Sequence, residues 1–330
     1  MTRDYQPLAN LAKFETREFP NSGIRDVAIV GGAGRLGTYL TRSLASRGCG
    51  VHVLDAQPPD LLPGVRFTHC DLGSRSGLPA GVFHHADAVV HLAGLHGAHL
   101  AADVSRREFW KVNVQGTERV IESASRSGVR RFVFASSTSV YGAGSPPGQA
   151  ARVLDEDTDL DPEDIYDLTK VAAEHLLEGH PGGLEPVILR FGRFFFPSHA
   201  EYHLRKLSTG LDALDACQAL LLALTAQGLA RSTYCIASDL PLPRGERQHL
   251  GIDAHQVLEG ALPGIGEIAR ARGISIPVRV GKSVDTTLAR RELGYQPQRA
   301  LDWVARLWQS PSPTRHPVQR RFRHVLLPAG

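Results

Sequence analysis

The chain has 330 residues, 42% hydrophobic and 22% charged, the proportions of a soluble globular protein rather than a fibrous or disordered one. Its 37 Lys and Arg against 34 Asp and Glu leave a net charge of +3, too balanced for a nucleic-acid surface. No apolar run approaches the roughly 20 residues that span a bilayer, so neither nucleic acid nor membrane is expected as a partner.

Residues 1–24 carry charges throughout, lack the apolar stretch of a signal peptide, and read as an N-terminal extension. From residue 25 onward short β-branched runs alternate with helical stretches. Strands are predicted over 27–30, 51–55, 65–70, 88–92, 131–136, 186–190 and 233–237. Helices are predicted over 35–47, 104–125, 166–178, 211–226, 284–293 and 301–308, with a Pro-rich loop over 240–248. The strands are nearly all apolar, as expected when helices cover both faces of a parallel sheet. The pattern predicts an α/β fold: a doubly wound, Rossmann-type parallel sheet over 25–190 and a smaller substrate-binding lobe over 191–330 that returns one last strand to the sheet. Cys49, Cys70, Cys217 and Cys235 lie far apart with no CxxC pair. That argues against a disulfide framework or zinc site and for a reducing, cytoplasmic setting.

Gly31-Gly32-Ala33-Gly34-Arg35-Leu36-Gly37 follows the first strand directly and opens a helix. Glycines here let backbone amides approach a pyrophosphate at a helix N-terminus, where the dipole favours negative charge. The second strand ends in Asp55, whose carboxylate suits the hydroxyls of an adenosine ribose and repels a 2′-phosphate. Ala56-Gln57-Pro58 supplies no cation for that phosphate, so NAD is expected over NADP. Gly31, Gly34, Arg35, Leu36, Gly37 and Asp55 are the expected cofactor contacts.

Tyr166-Asp167-Leu168-Thr169-Lys170 places a tyrosine and a lysine on one helix face. A free tyrosine titrates near pH 10; a neighbouring ammonium, helped by a positive nicotinamide ring, favours the phenolate that could take a proton. Ser137, at a strand end in Ser136-Ser137-Thr138-Ser139-Val140-Tyr141-Gly142, can hold the substrate oxygen meanwhile.

With these motifs in place the sequence resembles the NAD-dependent epimerase/dehydratase family, the extended branch of the short-chain dehydrogenases, from about residue 27 to 307. Cys70-Asp71-Leu72 resembles its adenine-side stretch, and His91-Leu92-Ala93-Gly94 the turn lining the cofactor. Asn113-Val114-Gln115-Gly116-Thr117 resembles its structural asparagine motif, and Leu293-Gly294-Tyr295-Gln296-Pro297 its closing motif. The resemblance implies a catalytic triad of Ser137, Tyr166 and Lys170, with Lys170 also on the nicotinamide ribose. It further implies Asp71, Leu72, Leu92, Ala93, Gly94 and Asn113 at the cofactor.

Departures from the family narrow the reaction. Dehydratases carry an Asp-Glu pair where this chain has Thr138 and Ser139, and decarboxylating relatives need a glutamate at the Ser139 position. Water elimination is therefore disfavoured. Arg193 replaces an asparagine that nucleotide-sugar enzymes carry, and the stretch over 198–210 is short for gripping a nucleotide diphosphate. Leu189-Arg190-Phe191-Gly192 followed by Arg205-Lys206-Leu207-Ser208-Thr209 resembles the compact uronate dehydrogenases, which implies an arginine holding a substrate carboxylate. His96, Ser137, Thr138, Arg193 and Arg205 are the expected substrate contacts. The alternative for Arg193 is a surface residue with its stem on Phe194, Phe195 and Phe196.

Two chemistries stay open: a dehydrogenase acting on a small, polar, anionic sugar-like alcohol, and a sugar epimerase that retains NAD. An inactive NAD-sensing module is disfavoured by the intact Tyr166 and Lys170. The assembly expected is a homodimer. His199 and His203 show metal-like spacing without the HExxH order, so no metal is expected; His84 and His85 read as loop residues, His99 as either facing the substrate or a solvent-exposed loop residue, and Trp303 and Trp308 as core or interface.

Overall fold

Apolar residues that alternate along each strand divide between two cores. In β1 (Asp26–Val30), Val27 and Ile29 enter one and Ala28 and Val30 the other. In the computed structural model, which describes residues 23–59, 62–74, 77–194, 204–271 and 273–300, β1 lies inside a parallel sheet with β2 (Gly50–Asp55), β3 (Val65–His69), β4 (Ala88–His91), β5 (Arg131–Ser137), β7 (Glu185–Phe191) and β8 (Thr233–Ile236). The order is β3-β2-β1-β4-β5-β7-β8. The chain reverses its winding between β1 and β4, and the crevice beyond the carboxyl ends of these two strands is where such sheets take ligands. The expected doubly wound sheet is present, including the late strand β8 beside β7.

One core packs α1 (Arg35–Ala45) through Leu36, Leu40 and Leu44, together with a helix over Ala213–Thr225. The other packs Val120, Ile121, Ala173 and Leu177. A fully buried Leu or Ile contributes roughly 1.5–3 kcal/mol, so these two layers hold the sheet from both sides. A third core gathers Leu207, Leu242, Leu250, Leu258, Ile265 and Ile276, all from the stretch expected to form the smaller lobe.

That lobe also draws on chain before residue 190. β6 (Arg152–Leu154) pairs in parallel with β9 (Lys282–Val284) in a separate two-stranded sheet, so the expected boundary at 190/191 is crossed by a strand pair too short to stand out in the sequence. Other readings are corrected similarly. The single helix expected over 104–125 is three windings: α2 (Arg106–Trp110), a π-helical turn over Lys111–Gln115, and α3 (Gly116–Arg126). The expected loop over 240–248 includes a short helix, Arg244–Arg247, stabilised where Arg247 Nε and Nη1 donate to the carbonyls of Leu242 and Val284. The expected helix over 284–293 begins as β9 and becomes helical only over Thr287–Glu292. Residues 1–22, Phe195, Phe196, His199, His203, Trp303, Trp308 and the basic tail lie outside the described residues.

Candidate active site

The glycine turn is shaped by contacts that admit no side chain. Gly31 sits at φ 87°, and a Cβ there would meet the Ala93 amide nitrogen at 2.4 Å. Gly37, on the inner face of α1, would place a Cβ 2.5 Å from the Gly31 carbonyl oxygen. Gly34 is the N-cap of α1, offers no side chain to the helix amides, and no acidic residue stands in the first turn. Those amides, with the exposed Arg35 beside them, are arranged to receive an anion. Leu36 contributes only backbone here, because its side chain is in the core. Asp55 holds the turn from the next strand: Oδ2 accepts from the Ala33 amide at 3.0 Å and Oδ1 from the Gln57 amide at 3.0 Å. This second task of Asp55 carries no sequence signal.

Across the crevice, Leu92 and Ala93 donate their amides to the Val30 carbonyl at 2.8 and 3.0 Å, bringing the turn after β4 against β1. Asp71 is exposed and accepts from the Gly73 amide at 2.8 Å. Two expected cofactor contacts are corrected. The Leu72 side chain is 5% exposed and lies in the core, its carbonyl held by Arg119 at 2.6 Å. Asn113 is buried, and its amide group is committed internally. Its Oδ1 accepts from the Leu95 amide at 2.7 Å, and its Nδ2 donates to the Leu95 carbonyl at 3.0 Å and to Thr169 Oγ1 at 2.9 Å. Asn113 therefore ties the turn after β4 to the helix carrying Tyr166.

That helix, α4 (Ile165–Glu178), begins at Asp164, whose carboxylate accepts from the Asp167 amide at 2.9 Å. Tyr166 and Lys170 lie on successive turns, as the spacing requires. Lys170 Nζ donates to the Ala135 carbonyl at 2.7 Å and stands 3.7 Å from the position a Cβ would take on Gly94. Burial lowers the Lys170 ammonium to about 8, against the opposing pull of Glu174. Ser137 caps the 3-10 turn over Thr138–Tyr141; its Oγ accepts from the Ser139 amide at 3.1 Å and donates to Ser139 Oγ at 2.8 Å, and its hydroxyl acts on Tyr166 to lower the phenol's pKa. Serine, tyrosine and lysine thus gather at the carboxyl end of β5.

The electrostatics show what the chain does without cofactor. Burial pushes the Tyr166 phenol up to about 12, the Ser137 hydroxyl opposes this, and Asp167 and Asp164 add to the rise. Lys170 is 6.0 Å from the Tyr166 ring centroid, with its hydrogen bond directed at backbone. The chain by itself holds Tyr166 neutral, and the lysine does not produce a phenolate unaided.

Behind this group lies a buried network. Arg190 donates to Glu174 at 2.7 Å and to the Tyr141 hydroxyl at 2.8 Å, while Ser136 donates to Glu174. It fastens β7, α4 and the 3-10 turn together, and removing one partner of such a pair costs about 3–5 kcal/mol.

The expected substrate residues distribute unequally. His96 is exposed and caps a short helix over Gly97–Ala101, accepting from the Ala98 amide at 3.3 Å. Its pKa falls to about 4 through desolvation, then through the charges of His99, Lys170, Arg35 and Arg193. Arg193 is exposed and bridges to Gly210 through its backbone. Arg205 is exposed, and its charge acts on Lys282, which donates to the Gly142 carbonyl. Thr138 is corrected: at 4% exposed its side chain is withdrawn into the turn, and the neighbouring half-buried hydroxyls are Ser137 and Ser139. Lys282 and Asp167 are two charged residues near the site that sequence reasoning passed over, Lys282 because only the β6–β9 pairing brings it there. Among the described residues no group of three or more His, Cys, Asp or Glu is placed to hold a metal.

A family model for the NAD-dependent epimerase/dehydratase family matches residues 27–240. The chain belongs to this family. A dTDP-glucose 4,6-dehydratase from Streptomyces niveus is 28% identical over 320 residues, covering 83% of this chain and 89% of the relative. A short-chain dehydrogenase/reductase superfamily protein from Agrobacterium tumefaciens with bound NAD superposes with a TM-score of 0.64 at 25% identity, covering 86% of this chain and 96% of that one. A mutated uronate dehydrogenase shares the fold with a TM-score of 0.61 at 20% identity, covering 89% of each chain. The chain spans about two fifths of the length of the first curated relatives it matches, 40% and 43%.

NAD is the cofactor of the epimerase/dehydratase family, and the residues here fit it. The Gly31 cradle, the uncapped amides of α1 and the Asp55 carboxylate lie along one edge of the crevice, and Lys170 lies beside Gly94 at the other. Replacing Asp55 by Asn and Ala56 by Arg should remove the repulsion toward a 2′-phosphate and supply a cation for it. Loss of charged hydrogen bonds worth about 1.5–3 kcal/mol should weaken NAD+ on the order of 10- to 100-fold while NADP+ becomes a ligand. Calorimetric titration with both nucleotides checks this; a wild type that already prefers NADP+ would contradict the role of Asp55.

Proposed function

We propose that the protein oxidises a secondary alcohol of a small, polar, anionic sugar-like substrate, with NAD as the hydride acceptor and Tyr166 as the base. Ser137 orients the substrate oxygen beside the Tyr166 hydroxyl, and Lys170 holds its ammonium where the nicotinamide ribose would lie. Gly31, Gly34, Arg35, Gly37, Asp55, Asp71 and the turn of Leu92, Ala93 and Gly94 are the proposed cofactor wall. The observation that carries the substrate class is the convergence of Arg193, Arg35 and Lys170 on His96. A cationic mouth of this kind favours an anion beyond the cofactor's own phosphates.

Arg205, beside Lys282 on the lobe side, is the proposed anchor for the substrate's anionic group. A guanidinium presents a planar fork to a carboxylate, which an ammonium cannot copy. Arg205→Lys should raise KM on the order of 10- to 100-fold with kcat little changed. Screening sugar acids and nucleotide sugars for NADH formation tests the reading as a whole. Net NADH supports the dehydrogenase, whereas interconversion of sugars without NADH accumulation assigns an epimerase instead. Dehydration is disfavoured despite the likeness to a dehydratase, because the turn offers Thr138 and Ser139 in place of an acid pair. The proposed setting is cytoplasmic, consistent with free thiols at Cys49, Cys70, Cys217 and Cys235, and the proposed assembly is a homodimer.

A further inference from the structure

Lys206 follows Arg205 directly yet is 0% exposed, whereas Arg205 faces outward. Its Nζ donates to Ser238 Oγ at 3.0 Å, just past β8, and to the Arg299 carbonyl. Arg299 is itself held: its amide and that of Gln298 donate to the two oxygens of Asp215 at 3.1 and 2.9 Å. Asp215 is buried in the helix over Ala213–Thr225, and Asp212 caps that helix and accepts from Arg299 Nη1 at 3.2 Å. These two carboxylates offset the buried ammonium. Taking an ammonium out of water is costly, and a hydrocarbon side chain of similar volume would fill the space without that cost. A hydrocarbon cannot, however, donate hydrogen bonds to two separate segments at once.

The turn above this anchor carries the arginines. The Arg205 carbonyl accepts from the Ser208 amide at 3.0 Å and from the Gly210 amide at 2.6 Å. A Cβ on Gly210 would stand 2.5 Å from the Arg205 carbonyl carbon, so the turn closes directly on Arg205. Its far side grips Arg193: the Arg193 amide donates to the Thr209 carbonyl at 2.8 Å, and the Leu211 amide to the Arg193 carbonyl at 2.9 Å. The Ser238 amide donates to the Gly210 carbonyl at 2.9 Å, so Ser238 holds both the lysine and the end of the turn. Ser208 Oγ donates to the Lys282 carbonyl at 2.7 Å, and Lys282 Nζ to the Gly142 carbonyl, where the turn begun at Ser137 ends.

We propose that Lys206 is a positioning residue for the substrate's anionic group: its ammonium ties the turn over 205–210 to Ser238 and Arg299, and so fixes where Arg205 and Arg193 stand relative to Ser137 and Tyr166. The proposal rests on the reading of Arg205 as the anchor. Without the tie the turn keeps its internal bonds but loses its attachment from below, and both arginines shift with it. A guanidinium fork meets a carboxylate only in a defined plane. Displacing it therefore weakens the substrate more than NAD, whose proposed wall belongs to other turns.

The test takes the full chain with Lys206→Met, which keeps an apolar stem and removes the donors. Hydrogen exchange read by mass spectrometry, without cofactor or substrate, follows the amides of 205–211 and 298–299. They should exchange about tenfold faster, while the Tyr166 helix exchanges as in the wild type. KM for D-glucuronate, the sugar acid used as probe, should rise about tenfold, far more than kcat or NAD+ affinity moves. In an Arg205→Ala background the same substitution should add much less, because the group it positions is gone. Ser238→Ala removes one acceptor and keeps the backbone bond to Gly210; it should move exchange and KM the same way by a smaller factor. It decides the matter if Lys206→Met does not fold. Unchanged exchange in the turn, an equal rise in the Tyr166 helix, or a KM effect that adds in full to that of Arg205→Ala overturns the proposal. A wild type that leaves D-glucuronate unoxidised counts against the substrate reading alone, and exchange in the turn then decides the role of Lys206.

Discussion

Tyr166→Phe should lower turnover by about 10²- to 10⁴-fold, the span that a positioned proton-transfer group supplies, while leaving NAD affinity nearly intact. The substitution keeps the ring that fills the space beside Ser137 and removes only the hydroxyl. In the free protein the phenol stays neutral to about 12, driven mainly by burial, so the base must be made by lowering that value during binding. The sign follows: the active form is deprotonated, and alcohol oxidation in the wild type should climb as pH rises from neutral toward alkaline. The variant should lose that alkaline gain along with its rate. Steady-state kinetics over a pH series, with NAD+ binding measured separately by calorimetry, checks both parts. Retention of most of the wild-type rate would place the base elsewhere.

Gly31→Ala should be nearly as damaging, by a different route. A Cβ on Gly31 would lie 2.4 Å from the Ala93 nitrogen and 2.7 Å from its Cα, both backbone atoms held by β4. At φ 87° the new residue also carries a conformational penalty of roughly 1–2 kcal/mol, and forced packing costs about 1–3 kcal/mol more. Relief can come only by separating the turn after β1 from the turn after β4, which opens the cofactor crevice. Stability should fall by about 2–5 kcal/mol and NAD+ binding should be lost below the unfolding temperature. Thermal unfolding and nucleotide titration on the same sample read the two effects. Wild-type affinity in a stable variant would mean that the crevice does not depend on this contact.

What the sequence discloses here follows from how local the cause is. The strands β1, β2, β4 and β5 are runs of apolar residues whose fate depends on a few neighbours, and each is legible within a residue or two. The glycine turn, Asp55, Ser137, Tyr166 and Lys170 are legible for the same reason, since each occupies a strand end or a helix start. The lobe is not, because its organising contacts join distant stretches: Arg152 pairs with Lys282, and Ser208 donates to the Lys282 carbonyl at 2.7 Å. Asn113 was misassigned because a motif names a residue without its hydrogen-bond partners, here Leu95 and Thr169. The elevated Tyr166 was missed because YxxxK spacing places the lysine near the ring but does not reveal that its proton goes to the Ala135 carbonyl.

The π-helical turn over Lys111–Gln115 has a bearing on how this chain can change in length. A π turn is an α-helix carrying one residue more than regular winding needs, and each residue turns an α-helix by about 100°. Deleting Val114 or Gln115 should let the helix resume even winding without disturbing a single strand. The stripe of Val120, Ile121 and Ala124 would keep its grip on the sheet, so the correction would fall on the N-terminal side. Asn113 would swing out of reach of Leu95 and Thr169. The surplus residue thus acts as a phase setter, and drift by insertion or deletion at this one place would uncouple the turn after β4 from the Tyr166 helix while the fold survived.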